Sequence, residues 1–248
     1  VLLVLPALWV LFEWIRSWFL TGFPWLNLGY SQSDTWLAGV APWLGVYGVS
    51  LVVAITSGLL AQSLHTPEKF LRRYLPALLA IFLSSWLAGR IEWTEPAGAP
   101  LPVALVQGNV PLELKWQPAY RGAILERYRA LSEQAGDARL IVWPEAAIPA
   151  RLDEVDPGYF AELKRRDADF LIGVIERDEA TRQHYNSVIS LGRDVGIYRK
   201  QHLVPFGEFL PFPGLFRWLL DSLRIPMSDF SSGPADQPLL TAAGQKIG

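Results

Sequence analysis

At 248 residues the chain is long enough for one large domain or two modest ones, and 22 Lys and Arg against 24 Asp and Glu leave a formal net charge of −2. That balance supplies no basic stripe of the kind nucleic acid requires, so no nucleic-acid partner is expected. The complete absence of cysteine excludes disulfides, thiolate metal sites and a cysteine nucleophile within these residues.

The charge is unevenly spread. Residues 1–91 hold eight of the 46 charged side chains (Glu13, Arg16, Asp34, Glu68, Lys69, Arg72, Arg73 and Arg90), about 9% of that stretch against about 24% of the remainder. Eleven Trp residues add to the picture, since an amphipathic indole favours a membrane interface. The expected organisation is about three transmembrane helices of a partial bundle in residues 1–91, a linker at 92–100 and a polar domain at 101–248. Glu95-Pro96-Ala97-Gly98-Ala99-Pro100 supplies the breakers of the linker. Both ends read as cuts through a longer protein, because Val1 lies in an apolar run and Gly248 is followed by no polar tail.

The first apolar segment, residues 1–20, is interrupted by Glu13 and Arg16. Three apart on a helix, these two share a face and are expected to neutralise each other. A secretory signal is the competing reading, but the segment lacks a basic leader and a small-residue cleavage site. Residues 21–30 (Thr21-Gly22-Phe23-Pro24-Trp25-Leu26-Asn27-Leu28-Gly29-Tyr30) form an uncharged aromatic loop, either a lipid-facing vestibule or an interfacial aromatic belt. Residues 36–61 contain no Asp, Glu, Lys or Arg and suffice to span the roughly 30 Å hydrocarbon layer. Residues 74–89 form a third, shorter span whose flanking Arg73 and Arg90 can snorkel to the interfaces. Lys69, Arg72 and Arg73 place the loop at 62–73 in the cytoplasm and the loop at 21–35 outside, which puts everything after residue 92 outside as well.

In the polar half, residues 103–107 read as a short buried strand, and 120–134 as a helix with Ile124, Leu125, Tyr128 and Leu131 on one face. Residues 139–143 form a second strand stopped by Pro144, followed by a helix at 158–166 and a strand at 170–175. This alternation predicts an α/β layered fold. Residues 186–191 and 197–200, joined by Gly192-Arg193-Asp194-Val195-Gly196, predict a hairpin.

Three side chains stand out as chemistry. Glu145 follows the strand ending Ile141-Val142-Trp143-Pro144, where partial burial would lift a carboxyl toward the range of a general base; otherwise it merely begins the next helix. Lys200 ends the hairpin, where an ammonium could stabilise an oxyanion or simply be solvated. Glu208 could orient Lys200 or be an exposed loop acid. His202 is a possible base or ligand, but three scattered histidines form no metal constellation, and neither a metal nor a cofactor is expected.

Taken together, Val106-Gln107-Gly108-Asn109-Val110-Pro111 with Lys115-Trp116, Trp143-Pro144-Glu145, and the run from Lys200 to Glu208 (Lys200-Gln201-His202-Leu203-Val204-Pro205-Phe206-Gly207-Glu208) resemble the nitrilase, or carbon-nitrogen hydrolase, superfamily. Pro6-Ala7-Leu8-Trp9, Leu20-Thr21-Gly22-Phe23-Pro24-Trp25 and Pro226-Met227-Ser228-Asp229-Phe230-Ser231 are similar to the apolipoprotein N-acyltransferases, the membrane-anchored branch. The resemblance implies a transmembrane helical bundle followed by an α/β nitrilase-type αββα sandwich, incomplete here. It implies Glu145 as general base, Lys200 as the triad lysine, Glu208 as a second essential glutamate, and Trp116 with Phe23, Pro24 and Trp25 as lid or substrate-binding residues.

It further implies a nucleophilic cysteine a few residues beyond Gly248, without which these residues alone should be inactive. The implied activity is ping-pong transfer of an acyl chain from a membrane phospholipid donor to a diacylglyceryl-modified apolipoprotein acceptor. The implied setting is the bacterial inner membrane, with several spans, a periplasmic catalytic domain and a monomeric protein. The alternatives are a membrane-tethered amidase that hydrolyses a soluble C–N substrate, and an inactive binding protein that keeps the fold.

Overall fold

The computed structural model describes residues 2–212, 214 and 229–248. Pro226, Met227 and Ser228, half of one motif quoted above, lie outside the described residues. The chain divides into two compact units, Val1–Ala97 and Gly98–Gly248, with the division falling inside the stretch expected to be a linker.

The first unit contains helices α1 (Val4–Trp18), α2 (Ala41–His65) and α3 (Leu75–Ala88). Turns that precede or follow them lengthen the helical segments to Val4–Thr21, Trp36–His65 and Pro67–Ala88, each long and apolar enough to cross a membrane. The third begins earlier than the charge boundary at Arg73 suggested. Pro67 opens a tight turn, and the chain then continues through a wide turn at Phe70–Tyr74.

The polarity of α1 is inverted relative to a water-soluble helix. It buries Pro6 and Glu13 while Leu5, Leu8, Trp9, Phe12 and Trp14 are exposed. An exposed apolar face around a buried polar one suits lipid as solvent. Small and polar residues are buried within the unit, among them Gly48, Ser50, Thr56 and Ser85, beside an apolar cluster of Leu59, Tyr74 and Leu78. At Gly39 a Cβ would lie 1.9 Å from the carbonyl oxygen of Ser85, so only glycine permits this approach to α3.

Glu13 and Arg16 do not neutralise each other as the spacing suggested. Glu13 Oε1 accepts from Trp9 Nε1 at 2.9 Å and from the Leu28 N–H at 2.7 Å, whereas Arg16 donates to Asn27 Oδ1. The loop after α1 folds back and offers each charge a partner of its own. The same fold-back carries Phe23, Pro24 and Trp25, with the Phe23 and Trp25 rings 4.8 Å apart and the Phe23 N–H donating to the Arg16 carbonyl at 2.8 Å.

The second unit is built on a five-stranded mixed sheet in the order β1-β2-β3-β4-β5. Its strands are β1 (Val103–Leu105), β2 (Leu140–Val142), β3 (Asp169–Arg177), β4 (His184–Leu191) and β5 (Gly196–Arg199). β1, β2 and β3 are parallel, linked through α4 (Leu112–Lys115) and α5 (Arg121–Glu133), then through α6 (Pro157–Leu163). β3, β4 and β5 are antiparallel. The expected hairpin between β4 and β5 is present. A longer one, pairing β3 with β4 from Phe170↔Leu191 to Arg177↔His184, was not foreseen.

Side-chain alternation assigns the two faces. Ile141, Phe170, Ile172, Val174, Ile189 and Leu191 meet Ile124 and Tyr128 of α5 and Leu163 of α6 in one core. Leu140, Val142, Leu171, Val188 and Tyr198 point the other way, against the small hairpin of β6 (Leu240–Ala242) and β7 (Gln245–Ile247). The described residues thus comprise one helical layer, one sheet and a two-stranded cover on its far face.

Candidate active site

The peptide carrying Glu145 leaves β2 as a tight turn held against β3. The Trp143 N–H donates to the Leu171 carbonyl and the Ala147 N–H to the Gly173 carbonyl, both at 2.9 Å. Trp143 anchors the base of the turn, with its Nε1 donating to Ser132 Oγ at 2.9 Å and its ring 4.9 Å from that of Tyr128. Between these anchors Ala146 adopts φ 45°, a strained value for a residue bearing Cβ. The turn lies directly over Gly173, where a Cβ would come within 2.3 Å of the Pro144 carbonyl oxygen and 2.7 Å of Glu145 Cα. A lone glycine inside a β-branched strand signals such an approach.

Lys200 follows β5 on the face shared with Tyr198, and its N–H donates to the Asn186 carbonyl at 2.8 Å. Its ammonium lies 3.3 Å from Glu145 Oε1 and 2.9 Å from Glu208 Oε1. Glu208 is held by a compact loop. Its Oε2 accepts from the Val204 N–H at 2.8 Å, its own N–H donates to the Val204 carbonyl at 2.9 Å, and its carbonyl accepts from Phe230 at 2.9 Å.

Asn186, in the middle of β4, closes the group. Its amide Nδ2 donates to Glu145 Oε1, and to Glu208 Oε1 at 2.8 Å. Sequence reading passed over this residue. The available signal was an amide leading into the strand residues Val188 and Ile189, where a buried amide must have a partner. Glu145, Asn186 and Lys200 line a cleft of about 450 Å³ that also takes in Val188, Tyr198 and His202, and Glu208 meets it through its hydrogen bond to Lys200.

The expected partial burial of Glu145 is not met, for its side chain is 62% exposed. It stands beyond the strand end in an open cleft, and its position comes from hydrogen bonds to Oε1 rather than from exclusion of water. Glu208 is the buried carboxylate, at 12% side-chain exposure. Burial alone pushes its pKa up, but the Val204 N–H, the Lys200 ammonium and the Asn186 amide outweigh this and hold it below the usual glutamate value. Burial likewise pulls Lys200 down, and the Glu208 hydrogen bond with the charges of Glu145 and Glu208 more than restores it, leaving the ammonium above its ordinary value.

A second cation borders the group. Lys115, at the end of α4, reaches the Glu145 carbonyl oxygen at 3.5 Å and lies 5.4 Å from the centre of the exposed Trp116 ring. Burial lowers the Lys115 pKa, opposed by the Glu145 charge. Trp116 is not among the residues lining the cleft and meets the site only through Lys115, and Phe23, Pro24 and Trp25 belong to the first unit. Among the described residues no group of three or more His, Asp or Glu side chains is placed to hold a metal ion.

Chemically, one oxygen of Glu145 is occupied and Oε2 has no hydrogen-bond partner among the described residues, so it is able to accept a proton. The adjacent fixed ammonium can balance an oxyanion formed beside it.

Comparison with known proteins gives a consistent neighbourhood. Residues 1–59 match the model of the apolipoprotein N-acyltransferase N-terminal domain. The chain is 41% identical over 250 residues to an apolipoprotein N-acyltransferase from Methylococcus capsulatus, covering 99% of this chain and 50% of the relative. It is 45% identical over 260 residues to one from Azotobacter vinelandii (99% and 49%) and 44% over 259 residues to one from Pseudomonas putida (99% and 50%). The chain therefore spans about half the length of the curated relatives it matches. Among solved structures, a carbon-nitrogen hydrolase from Helicobacter pylori G27 overlaps 51% of this chain and 44% of its own at 17% identity with a TM-score of 0.34, too partial a likeness to bear on function.

Proposed function

This chain is related to the apolipoprotein N-acyltransferases along nearly its whole length, and from that premise we propose that the full-length protein transfers a fatty acyl chain from a membrane phospholipid to the α-amino group of an apolipoprotein's N-terminal S-diacylglyceryl cysteine. The observation that carries the reading is the meeting of Glu145 and Glu208 on the Lys200 ammonium at the cleft, with Glu145 Oε2 free of a hydrogen-bond partner among the described residues.

The 248 residues hold no cysteine, so the nucleophilic thiol belongs to the part of the relatives' length that this chain does not span. Glu145 Oε2 takes the thiol proton, because the thiolate is the reactive form. The thiolate adds to the ester carbonyl of the phospholipid, and Lys200 with nearby N–H groups balances the tetrahedral oxyanion. Collapse expels the lysophospholipid alkoxide, which recovers the proton from Glu145, and leaves a thioester. The acceptor amine then adds to the thioester, gives its proton to Glu145 and forms the amide. The thiolate leaves and is reprotonated, so the cycle closes without ATP. Glu208 keeps Lys200 charged and in place.

The chemistry belongs on the outer face of the bacterial inner membrane, where both lipidic substrates arrive laterally. Trp116 is assigned to the path of the acyl chain in the second unit, and Phe23, Pro24 and Trp25 to lipid contact in the first. Exclusion of water along that path favours transfer over hydrolysis.

The test is Glu145→Gln in the full-length protein, with labelled phospholipid and a gel assay for the acyl-enzyme. Loss of the thioester band is expected, and a band of normal intensity refutes the base assignment. Release of lysophospholipid by the unsubstituted protein separates acyl transfer from simple hydrolysis of an amide.

A further inference from the structure

Two carboxylates in one cleft repel each other, and a single ammonium leaves the group of Glu145, Glu208 and Lys200 with net charge −1. Something must hold the carboxylates in register, and the ammonium alone does so poorly, because Lys200 reaches them through a flexible four-carbon stem. Asn186 is the rigid counterpart. It is 7% exposed, and it lies on a strand paired on both sides, with Ile175 of β3 across one edge and β5 along the other. Its side chain meets both carboxylates through one nitrogen, and its main-chain carbonyl accepts from the Lys200 N–H. One residue thus fixes all three charged groups.

The orientation of the amide is dictated chemically. Only the NH2 end can face two carboxylate oxygens, since the carbonyl end would meet two anions. Both donors aimed at Glu145, the Asn186 amide and the Lys200 ammonium, converge on Oε1. Oε2 is therefore the lone-pair-bearing oxygen that points away from the restraints.

We propose that Asn186 is a positioning residue of this site, tying Glu145 and Glu208 together through one oxygen each and so selecting Glu145 Oε2 as the oxygen that takes the proton. The inference rests on the acyl-transfer reading for its substrate, but not for its geometry. Without the amide, Glu145 is free to rotate and to turn both oxygens toward Lys200. Among the described residues, only the flexible Lys200 side chain, 3.3 Å from Oε1, then restrains this 62% exposed carboxylate. The thiol proton then loses a fixed acceptor.

The experiment compares Asn186→Leu and Asn186→Asp in the full-length protein, measuring acyl-enzyme formation against pH together with the KM for phospholipid. The rate is expected to fall about 10–100-fold at neutral pH in both variants, the scale typical of a lost orienting partner, with KM nearly unchanged. The two then diverge. Asn186→Asp recovers as the pH is lowered, because a protonated aspartic acid is again a donor, whereas Asn186→Leu does not. Melting temperatures taken over the same pH range separate the two roles, because a purely structural role makes the recovery of rate follow a recovery of stability.

The inference is overturned if Asn186→Asp follows the pH profile of the unsubstituted protein, or if losses merely track a lowered melting temperature. Should Asn186→Leu fail to fold, the near-isosteric Asn186→Asp carries the test alone. If the unsubstituted protein hydrolyses an amide and releases no lysophospholipid, the acyl-transfer reading fails by itself, and the same pH comparison is made on that amide.

Discussion

Glu145 and Glu208 lie against the same ammonium yet are built in opposite ways. Glu208 is buried and satisfied at both oxygens, by Val204 on one side and by Lys200 and Asn186 on the other. Glu145 is exposed and satisfied at one. A buried, doubly held carboxylate suits a fixed counter-charge, while an exposed one with an open oxygen suits a group that gains and loses a proton. Because the folded protein holds the Glu208 pKa below the ordinary value, its ionised form stabilises the fold. That contribution is complete above the unfolded value of about 4.3 and is lost as pH falls through the lower folded value. Glu208→Gln should therefore cost about 1.5–3 kcal/mol at neutral pH, the range for a hydrogen bond to a charged group. The melting-temperature gap between the two proteins should close under acid. A gap that stays constant as pH drops below about 4 would show that the charge of Glu208 contributes nothing to stability.

At the scale of elements, the legible parts were those with a period or a breaker. The apolar runs, the amphipathic face of α5, the stop at Pro144 and the glycine-flanked turn between β4 and β5 all carry local signals. The pairing of β3 with β4 does not. Its connection, Asp178 to Gln183, contains no glycine or proline, and is closed by Asp178 accepting from Ala180 and Thr181. That pairing is what brings Asn186 beside Glu145, so missing it meant missing the residue. Glu13 and Arg16 illustrate the converse: helical spacing put them on one face, and a loop from outside the helix divided them.

Gly173 joins strand to site, and it yields a prediction at this scale. Gly173→Ala places a methyl group against the Pro144 carbonyl with no room to relax. The expected cost is about 1–3 kcal/mol, with a loss of acyl-enzyme formation larger than the stability change explains, since the turn that carries Glu145 must move. Full activity with an unaltered melting temperature would show that the turn yields freely. Trp116→Ala tests α4 in the same way. Its exposed ring contributes little to the fold, so weakened acyl transfer with unchanged melting is expected, and unchanged transfer would reduce Trp116 to a surface residue.

For the whole molecule, charge distribution carries the topology. The cluster Lys69, Arg72 and Arg73, at the start of the helical segment Pro67–Ala88, has no compensating acid apart from Glu68, and a cluster of that kind resists translocation. On the proposed topology the remainder of that segment is the last span before residues 98–248, and the cleft with Glu145 and Lys200 is assigned to the side opposite the cluster. The 248 residues hold no cysteine, so thiols introduced among them are measured against the background of the nucleophile proposed outside them. Arg72→Cys and Asp137→Cys each introduce one exposed thiol, the first in the basic cluster and the second on the polar unit. A membrane-impermeant maleimide applied to spheroplasts should label Asp137→Cys above the unsubstituted background, and Arg72→Cys only after the membrane is permeabilised. The reverse pattern would place the cleft in the cytoplasm. It would then lie away from any lipoprotein already carried across the membrane, and the proposed acceptor could not be the substrate.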